Sequence, residues 1–292
     1  MEFISRKTDI RIPKLYAYDL RNQNNTGCPF YLLEYIHGNT AEEVSRTYLG
    51  DHEGIPTQFE EKFWRQVAKI MTQPASVRLP KMGSGPYNSA AEFYADYPFA
   101  LSKSLGEQPV SGQEELVQAF QALATSFTPT DLTSACAGFG LANYDLNPNN
   151  VLVDREFNVL AVIDWNSVVA VPDAALYRFP FLMGVGYAVP GDNDTHPAVL
   201  KRHELGRRFA ETVERVGLEN MEGSTGRING HVVLTKARVF SKEATAFRSL
   251  VHVKMKQDWV NGKWLKCLKW LSEHNEPDVA EFEHGVQRVY LE

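Results

Sequence analysis

The chain has 292 residues, 43% hydrophobic and 23% charged, with a formal net charge of −6. That length suits one large domain or two lobes, and that hydrophobic content suits a folded core. The acidic balance, without any Lys/Arg-rich run, speaks against a nucleic-acid or anionic-membrane partner, and no uncharged apolar stretch is long enough to span a bilayer.

From the start of the chain, residues 1–6 read as the last turns of a helix. Arg6, Lys7, Asp9 and Arg11 put charge where a signal peptide would need an apolar run, so a cytoplasmic protein is expected. Residues 12–18 and 28–38 are apolar runs around the polar stretch 21–27, which is a hairpin pattern. Cys28, Cys136 and Cys267 are far apart and form no Cys-x-x-Cys, as in a reducing compartment. Cys28 and Cys136 lie in strand-like apolar runs and are expected to pack in a core. Thr40-Ala41-Glu42-Glu43 is a capping-box pattern opening a helix to about Tyr48. A second helix opens at Thr57 and lines up Phe59, Phe63, Val67, Ile70 and Met71 on one face. Residues 79–86 are a loop. Further helices are predicted over 114–127, 197–216 and 242–273. The last carries Phe247, Leu250, Val251, Trp259, Trp264, Cys267, Trp270 and Leu271, a stripe that reads as core.

The most informative segment follows residues 139–141. It runs Asn143-Tyr144-Asp145-Leu146-Asn147-Pro148-Asn149-Asn150-Val151-Leu152-Val153-Asp154, then Val162-Ile163-Asp164-Trp165. Residues 151–153 and 159–163 are β-branched apolar runs around the polar residues 154–158, so they form a hairpin. With the turn centred near residue 156, position 150 is expected opposite 162, and 148 opposite 164. Asn150 and Asp164 then share the open end of the hairpin, and Asp145 enters it. An amide and a carboxylate suffice for Mg²⁺, which keeps several waters, while Asp145 is left to accept a proton from an attacking hydroxyl.

At these residues the chain resembles the aminoglycoside phosphotransferase and choline kinase-like superfamily, particularly its fungal members. The family loop reads His-Gly-Asp-x-x-x-x-Asn, then a strand and Ile-Asp-Trp or Ile-Asp-Phe. Here Asn143 stands for the His and Tyr144 for the Gly. The resemblance implies an α+β, protein kinase-like two-lobe fold with a truncated small β lobe and a mainly helical large lobe. Residues 1–38 would be the remnant of the small lobe with the hinge, and 39–292 the catalytic lobe. It implies ATP and Mg²⁺ as cofactors, Asp145 as the general base, and Asn150 and Asp164 as metal ligands. Residues 28–38 resemble the family's hinge strand, where adenine would meet backbone groups of Glu34 and Ile36. The family's phosphate-covering loop, its phosphate lysine and the helix glutamate that pairs with it have no clear counterpart. Only eleven residues precede Ile12, and Glu2, Lys7 and Lys14 are not assigned to the nucleotide. Cover for the exposed hairpin is expected from the rest of the chain, from a partner or from self-association, unless the small lobe is loosely ordered. A shortened gene model or splice form has the same look.

Two functions fit. One is an ATP-dependent kinase acting on a small-molecule hydroxyl, impaired in this shortened chain. The other is a non-catalytic, pseudokinase-like binding or scaffold protein. Intact Asp145, Asn150 and Asp164 favour the first, and the missing phosphate loop favours the second. The acceptor cannot be read. Asp51, Glu53, Glu60, Glu61, Glu276, Asp278, Glu281 and Glu283 could attract a cation, but read better as solvated faces. Asp173, Tyr177 and Arg178 border the expected acceptor site or cap its loop. No Gly-x-Ser-x-Gly, paired metal-binding His or three-glycine dinucleotide loop is present.

Overall fold

The computed structural model describes residues 1–50, 54–80, 87–103, 112–127, 138–176, 197–222, 234, 235, 239, 241–252 and 258–274. A short helix α1 (Glu2–Lys7) precedes an antiparallel hairpin of β1 (Leu15–Asp19) and β2 (Phe30–Leu33), which forms a sheet of its own. Strand β3 (Asn39–Thr40) leads directly into α2 (Ala41–Leu49) through the expected capping box. Thr40 Oγ1 accepts from the Glu43 N–H, and the Glu43 carboxylate accepts from the Thr40 N–H. Helices α3 (Thr57–Ala75), α4 (Ala90–Lys103) and α5 (Gln113–Ala124) follow. Beyond the catalytic segment come α6 (Pro197–Glu222), α7 (Lys242–His252) and α8 (Asp258–Glu273).

Helix α3 is the spine of the large lobe. Its predicted apolar face buries Phe63, Val67 and Ile70, with Phe59 and Met71 half-buried beside them. It packs against α6 on one side and β4 (Gly140–Asn143) on the other. Helices α4, α5, α7 and α8 close the far end, around Phe93, Tyr94, Phe120 and Phe247. Phe247, Leu250, Trp264, Cys267 and Leu271 are core, as their stripe predicted. The expected 242–273 helix is described as the two segments α7 and α8, with residues 253–257 outside the described part. Helix α4 is an addition to the sequence reading. Pro98 interrupts its run of helix formers, yet the helix continues through it.

The catalytic segment is a strand, a loop and a hairpin. Strand β4 pairs antiparallel with β7 (Val168–Val171), another element the sequence reading did not place. Strands β5 (Val151–Val153) and β6 (Val159–Val162) form the expected hairpin, and β5 also pairs with β3. The register differs by one residue from the expected one: Val151 faces Val162, so Asn150 lies opposite Ile163. The cause is an irregularity at Leu152/Val153, where Val153 pairs with Val159. Such an extra residue shifts everything beyond it by one.

The turn of that hairpin is tightly held. Asp154 Oδ1 accepts from the N–H groups of Glu156 and Asn158, and Asp154 Oδ2 accepts from Asn158 Nδ2. The Asn158 side chain, and then the backbone donors, hold the Asp154 carboxyl below its ordinary range, against a pull upward from burial. Phe157 adopts φ 57° and is fully buried.

One core expectation fails. Cys28 is exposed, whereas Cys267 is buried and its thiol is pushed up to about 12 by desolvation. Cys28 precedes β2, and most side chains of the β1–β2 hairpin stay exposed, so there is no core for it to enter. Cys136 lies outside the described residues.

Candidate active site

Asp145 sits in the loop between β4 and a single 3-10 turn, Pro148–Asn150. Its backbone N–H donates to Asn143 Oδ1 at 3.0 Å, so Asn143 shapes the entry to the loop. The Nδ2 atom of Asn143 is buried and has no partner among the described residues. Tyr144 ties the same loop to the chain beyond Asp164: its N–H donates to the Ser167 carbonyl and its hydroxyl to the Ala175 carbonyl.

Two amides grip Asp145. Asn150 Nδ2 donates to its backbone carbonyl at 2.8 Å and to Oδ2 at 3.0 Å. Asn147 Nδ2 donates to the same carbonyl and to Oδ1, both at 3.0 Å. All these acceptors are oxygens with no proton to give, which fixes how the amides face: the nitrogen turns to Asp145 and the Asn150 oxygen turns away from it. Asn147 Oδ1 also accepts from the Asn149 N–H and so caps the 3-10 turn. The sequence reading took Asn147 only as part of a turn. Its signal is the spacing, two residues after the Asp, where an Asx side chain can reach back to its neighbour.

Asp164 follows β6 at the same end. The Ile163 N–H donates to the Asn150 carbonyl at 2.9 Å, so the metal candidates are one residue removed across the ladder. Asp164 is exposed and has φ 53°, the left-handed region that Asp and Asn tolerate best among residues with a side chain. Trp165, buried and with its indole N–H on the Val162 carbonyl, pins the backbone around it. A non-glycine residue held in that region by its surroundings is common at functional sites.

The hinge candidates lie against this hairpin. Ile36 is buried and packs with Leu152 and Ala161, flanked by Leu160 and Ile163, in an apolar cluster separate from the main core. Gly38 passes so close that a Cβ there would stand 2.9 Å from Leu160 Cδ1. Glu34 holds the entry to β1: its N–H donates to the Lys14 carbonyl and its carboxylate accepts from the Lys14 N–H and from Arg11. The Glu34 carbonyl and the Ile36 N–H have no hydrogen-bond partner among the described residues. Ile36 and Gly38 thus lie against the body of the β5–β6 hairpin, while Asp145, Asn150 and Asp164 lie at its open end.

Other candidates are placed elsewhere. Asp173 is paired with Arg78, half-buried at 2.7 Å, and Arg78 also donates to the Gly138 carbonyl. That pair ties α3 to the segment after β7. Tyr177 and Arg178 lie outside the described residues, as do Asp51, Glu53 and the acids after residue 275. Glu60 and Glu61 face Arg208 and Arg215 on α6. Glu2 is paired with Arg6, and Lys14 lies over the Tyr16 ring. Among the described residues before Gly50, the ion pairs are all made by arginine.

A model of the phosphotransferase enzyme family matches residues 3–172, the stretch that carries the hinge, the loop and Asp164. The chain belongs to that family. This phosphotransferase-family chain has no significant match among curated proteins. Among solved structures it is similar to a Ralstonia eutropha JMP134 protein assigned as an aminoglycoside phosphotransferase, with a TM-score of 0.55 and 14% identity over 94% of this chain and 83% of that one. A type I macrolide 2'-phosphotransferase lies further off, with a TM-score of 0.45 and 15% identity over 92% and 74% of the two chains. The first similarity shows the fold, a protein kinase-like arrangement of a small β lobe on a mainly helical one.

A cation site in this family member would rest on Asn150 and Asp164. No cluster of three or more His, Cys, Asp or Glu suited to a metal occurs among the described residues. One carboxylate and one amide oxygen fit Mg²⁺, whose remaining positions go to water and phosphate. A prediction isolates the grip on Asp145. Asn147→Ala is expected to lower kcat for phosphoryl transfer by about ten- to a hundredfold, the worth of a hydrogen bond to a charged group. The KM for nucleotide stays near wild type. Asn147→Asp keeps the turn cap but loses the donors, so steady-state kinetics should show the same loss. Wild-type kcat in Asn147→Asp would reduce Asn147 to a cap.

Proposed function

We propose that this chain is an ATP-dependent phosphotransferase acting on a hydroxyl of a small molecule. The observation that carries the reading is the Asn150 amide. Its nitrogen is spent on Asp145, so its oxygen is left for a cation beside Asp164, while Asp145 stays free of the metal and available as a base. Bound Mg-ATP supplies the phosphoryl group and the charge that must be neutralised as it transfers. Asn150 Oδ1 and the Asp164 carboxylate would hold the cation. Asp145 accepts the proton of the acceptor hydroxyl on a carboxylate lone pair not taken by Asn147 or Asn150. Glu34 and Ile36 would offer a carbonyl and an N–H to adenine, both without a hydrogen-bond partner among the described residues. Such a reaction draws on cytoplasmic ATP.

Transfer by the 292-residue chain alone is slow in this reading. Donors that neutralise transition-state charge are each worth about two to three orders of magnitude in rate, and Lys14 is engaged with Tyr16 rather than with a glutamate. That same observation favours the second reading, a kinase-like module that binds nucleotide or partner without turnover.

Isothermal titration of the purified chain with Mg-ATP and a non-hydrolysable analogue, beside Asp164→Ala, tests the site. Micromolar binding that needs Mg²⁺ and disappears in Asp164→Ala is expected. Absence of binding would overturn the assignment of these residues, and binding without turnover on any hydroxyl acceptor would favour the second reading.

A further inference from the structure

Tyr144 spans the strand that follows Asp164. Its N–H donates to the Ser167 carbonyl at 3.1 Å, and its hydroxyl donates to the Ala175 carbonyl at 2.9 Å. Ser167 precedes β7, and Ala175 lies in the 3-10 turn after it (Asp173–Leu176), so one residue clips both ends of that strand. The turn is a firm anchor. Ala174, Ala175 and Leu176 are buried, and the Ala175 N–H donates to the Pro172 carbonyl. Arg78, whose side chain is 8% exposed, pairs with Asp173 of the same turn and donates to the Gly138 carbonyl. The chain on either side of β4 is thereby tied to one turn, through Gly138 before it and Tyr144 after it.

Asp145 comes next in the chain. Asn147 and Asn150 follow it in the same loop and orient its carboxylate. The chain that enters Asp145 is held from outside the loop, by Tyr144. The tether depends on the side chain: a glycine here, as the family loop reads, would keep the N–H bond and lose the hydroxyl. The Tyr144 ring is half-buried against the main core, so packing as well as its own bond holds the hydroxyl in place. Placement of this kind matters to rate, because a shift of about 1 Å in a reacting group can cost about a hundredfold. We infer that Tyr144 is a positioning residue for phosphoryl transfer: its hydroxyl, held on the Ala175 carbonyl, locks the loop of Asp145 to the turn after β7 and so aims the base. The inference rests on the phosphotransferase reading above and assigns no contact between Tyr144 and substrate.

Single-turnover formation of ADP from Mg-ATP by the full chain, with water and with glycerol as the hydroxyl, tests this beside titration of Mg-ATP. Tyr144→Phe keeps the ring and the backbone bond and loses only the hydroxyl. Its rate should fall by about three- to tenfold, the worth of one hydrogen bond, with Mg-ATP affinity within about twofold of wild type. Added to Asp145→Ala, the same change should alter the residual rate by less than about twofold, because the carboxylate it aims is gone. An equal loss in both backgrounds would mean that Tyr144 does not act through Asp145. A lower melting temperature with an unchanged rate would make it a structural strut. Either result overturns the inference alone. No ADP formation by the wild type would overturn it through the reading on which it rests.

Discussion

Asp145→Ala is expected to lower phosphoryl transfer by about 10²–10⁴-fold, the range for loss of a positioned general base, while Mg-ATP affinity stays within about twofold of wild type. The separation follows from which atoms hold which. Asn147 and Asn150 each donate to the backbone carbonyl of residue 145 as well as to its carboxylate. Truncation to alanine removes the carboxylate and keeps the carbonyl. The Asn150 amide therefore keeps its orientation, and the cation pair of Asn150 and Asp164 is left standing. Replacement by asparagine would be a poorer probe, because its own amide would point a donor at a donor. The readout is ADP formation, with water or a hydroxyl acceptor, beside titration of nucleotide. An alanine variant that turns over at the wild-type rate would remove Asp145 from the chemistry. One that loses nucleotide would show that the carboxylate, not the carbonyl, holds Asn150 in place. Asp164→Ala should behave in the opposite way, losing nucleotide first, so the two variants separate base from metal ligand.

The candidate loop could be placed from the sequence because its residues are local. Asp145 and Asn150 sit within six residues of each other, and a hairpin pattern brings Asp164 back to them, whereas the grip of Asn147 on Asp145 was not read. The spacing of polar and β-branched residues carries that much. The register did not follow from it, since the irregularity between Leu152 and Val153 leaves no mark in that spacing, and the turn beyond it is held by α3. Gln66, which no local pattern marks, accepts from the Val159 N–H and donates to the Phe157 carbonyl, and Lys62 donates to Asn158. The left-handed backbone at Asp164 was hidden as well: Asp tolerates that region but does not announce it, and Trp165 with its bond to Val162 holds the neighbouring backbone. Helices α2 and α3 could be placed from capping and periodicity. Helix α4 could not, because Pro98 argues against the helix that tertiary packing of Phe93 and Tyr94 enforces. Cys28 failed because an apolar run is a statement about the strand, whereas burial is a statement about what covers it.

Phe157→Ala is expected to destabilise the protein by about 3–5 kcal/mol, the cost of deleting a fully buried phenylalanine side chain. Phe157 is the residue that fastens the catalytic hairpin to the large lobe. Its ring stacks on Phe59 at 5.1 Å and meets Phe63 edge-on at 5.7 Å, with Tyr48 at 6.3 Å, so it joins α2 and α3 at one point. Its φ of 57° disfavours alanine as much as phenylalanine, so the strain stays and the burial is lost. The hairpin end that carries Phe157 lies opposite the end that carries Asn150 and Asp164. The variant should therefore melt lower by roughly 10 °C, at about 2–4 °C per kcal/mol for a chain of this size. Below its transition it should still bind Mg-ATP. Phe157→Leu keeps most of the volume and should recover more than half of the loss. Thermal melts with and without nucleotide check both statements. A loss under about 1.5 kcal/mol in Phe157→Ala would mean that the Gln66 and Lys62 hydrogen bonds hold the turn without the ring. Loss of nucleotide binding in a folded Phe157→Ala would mean that the two ends of the hairpin move as one body, and that α3 sets the position of Asp164 through it.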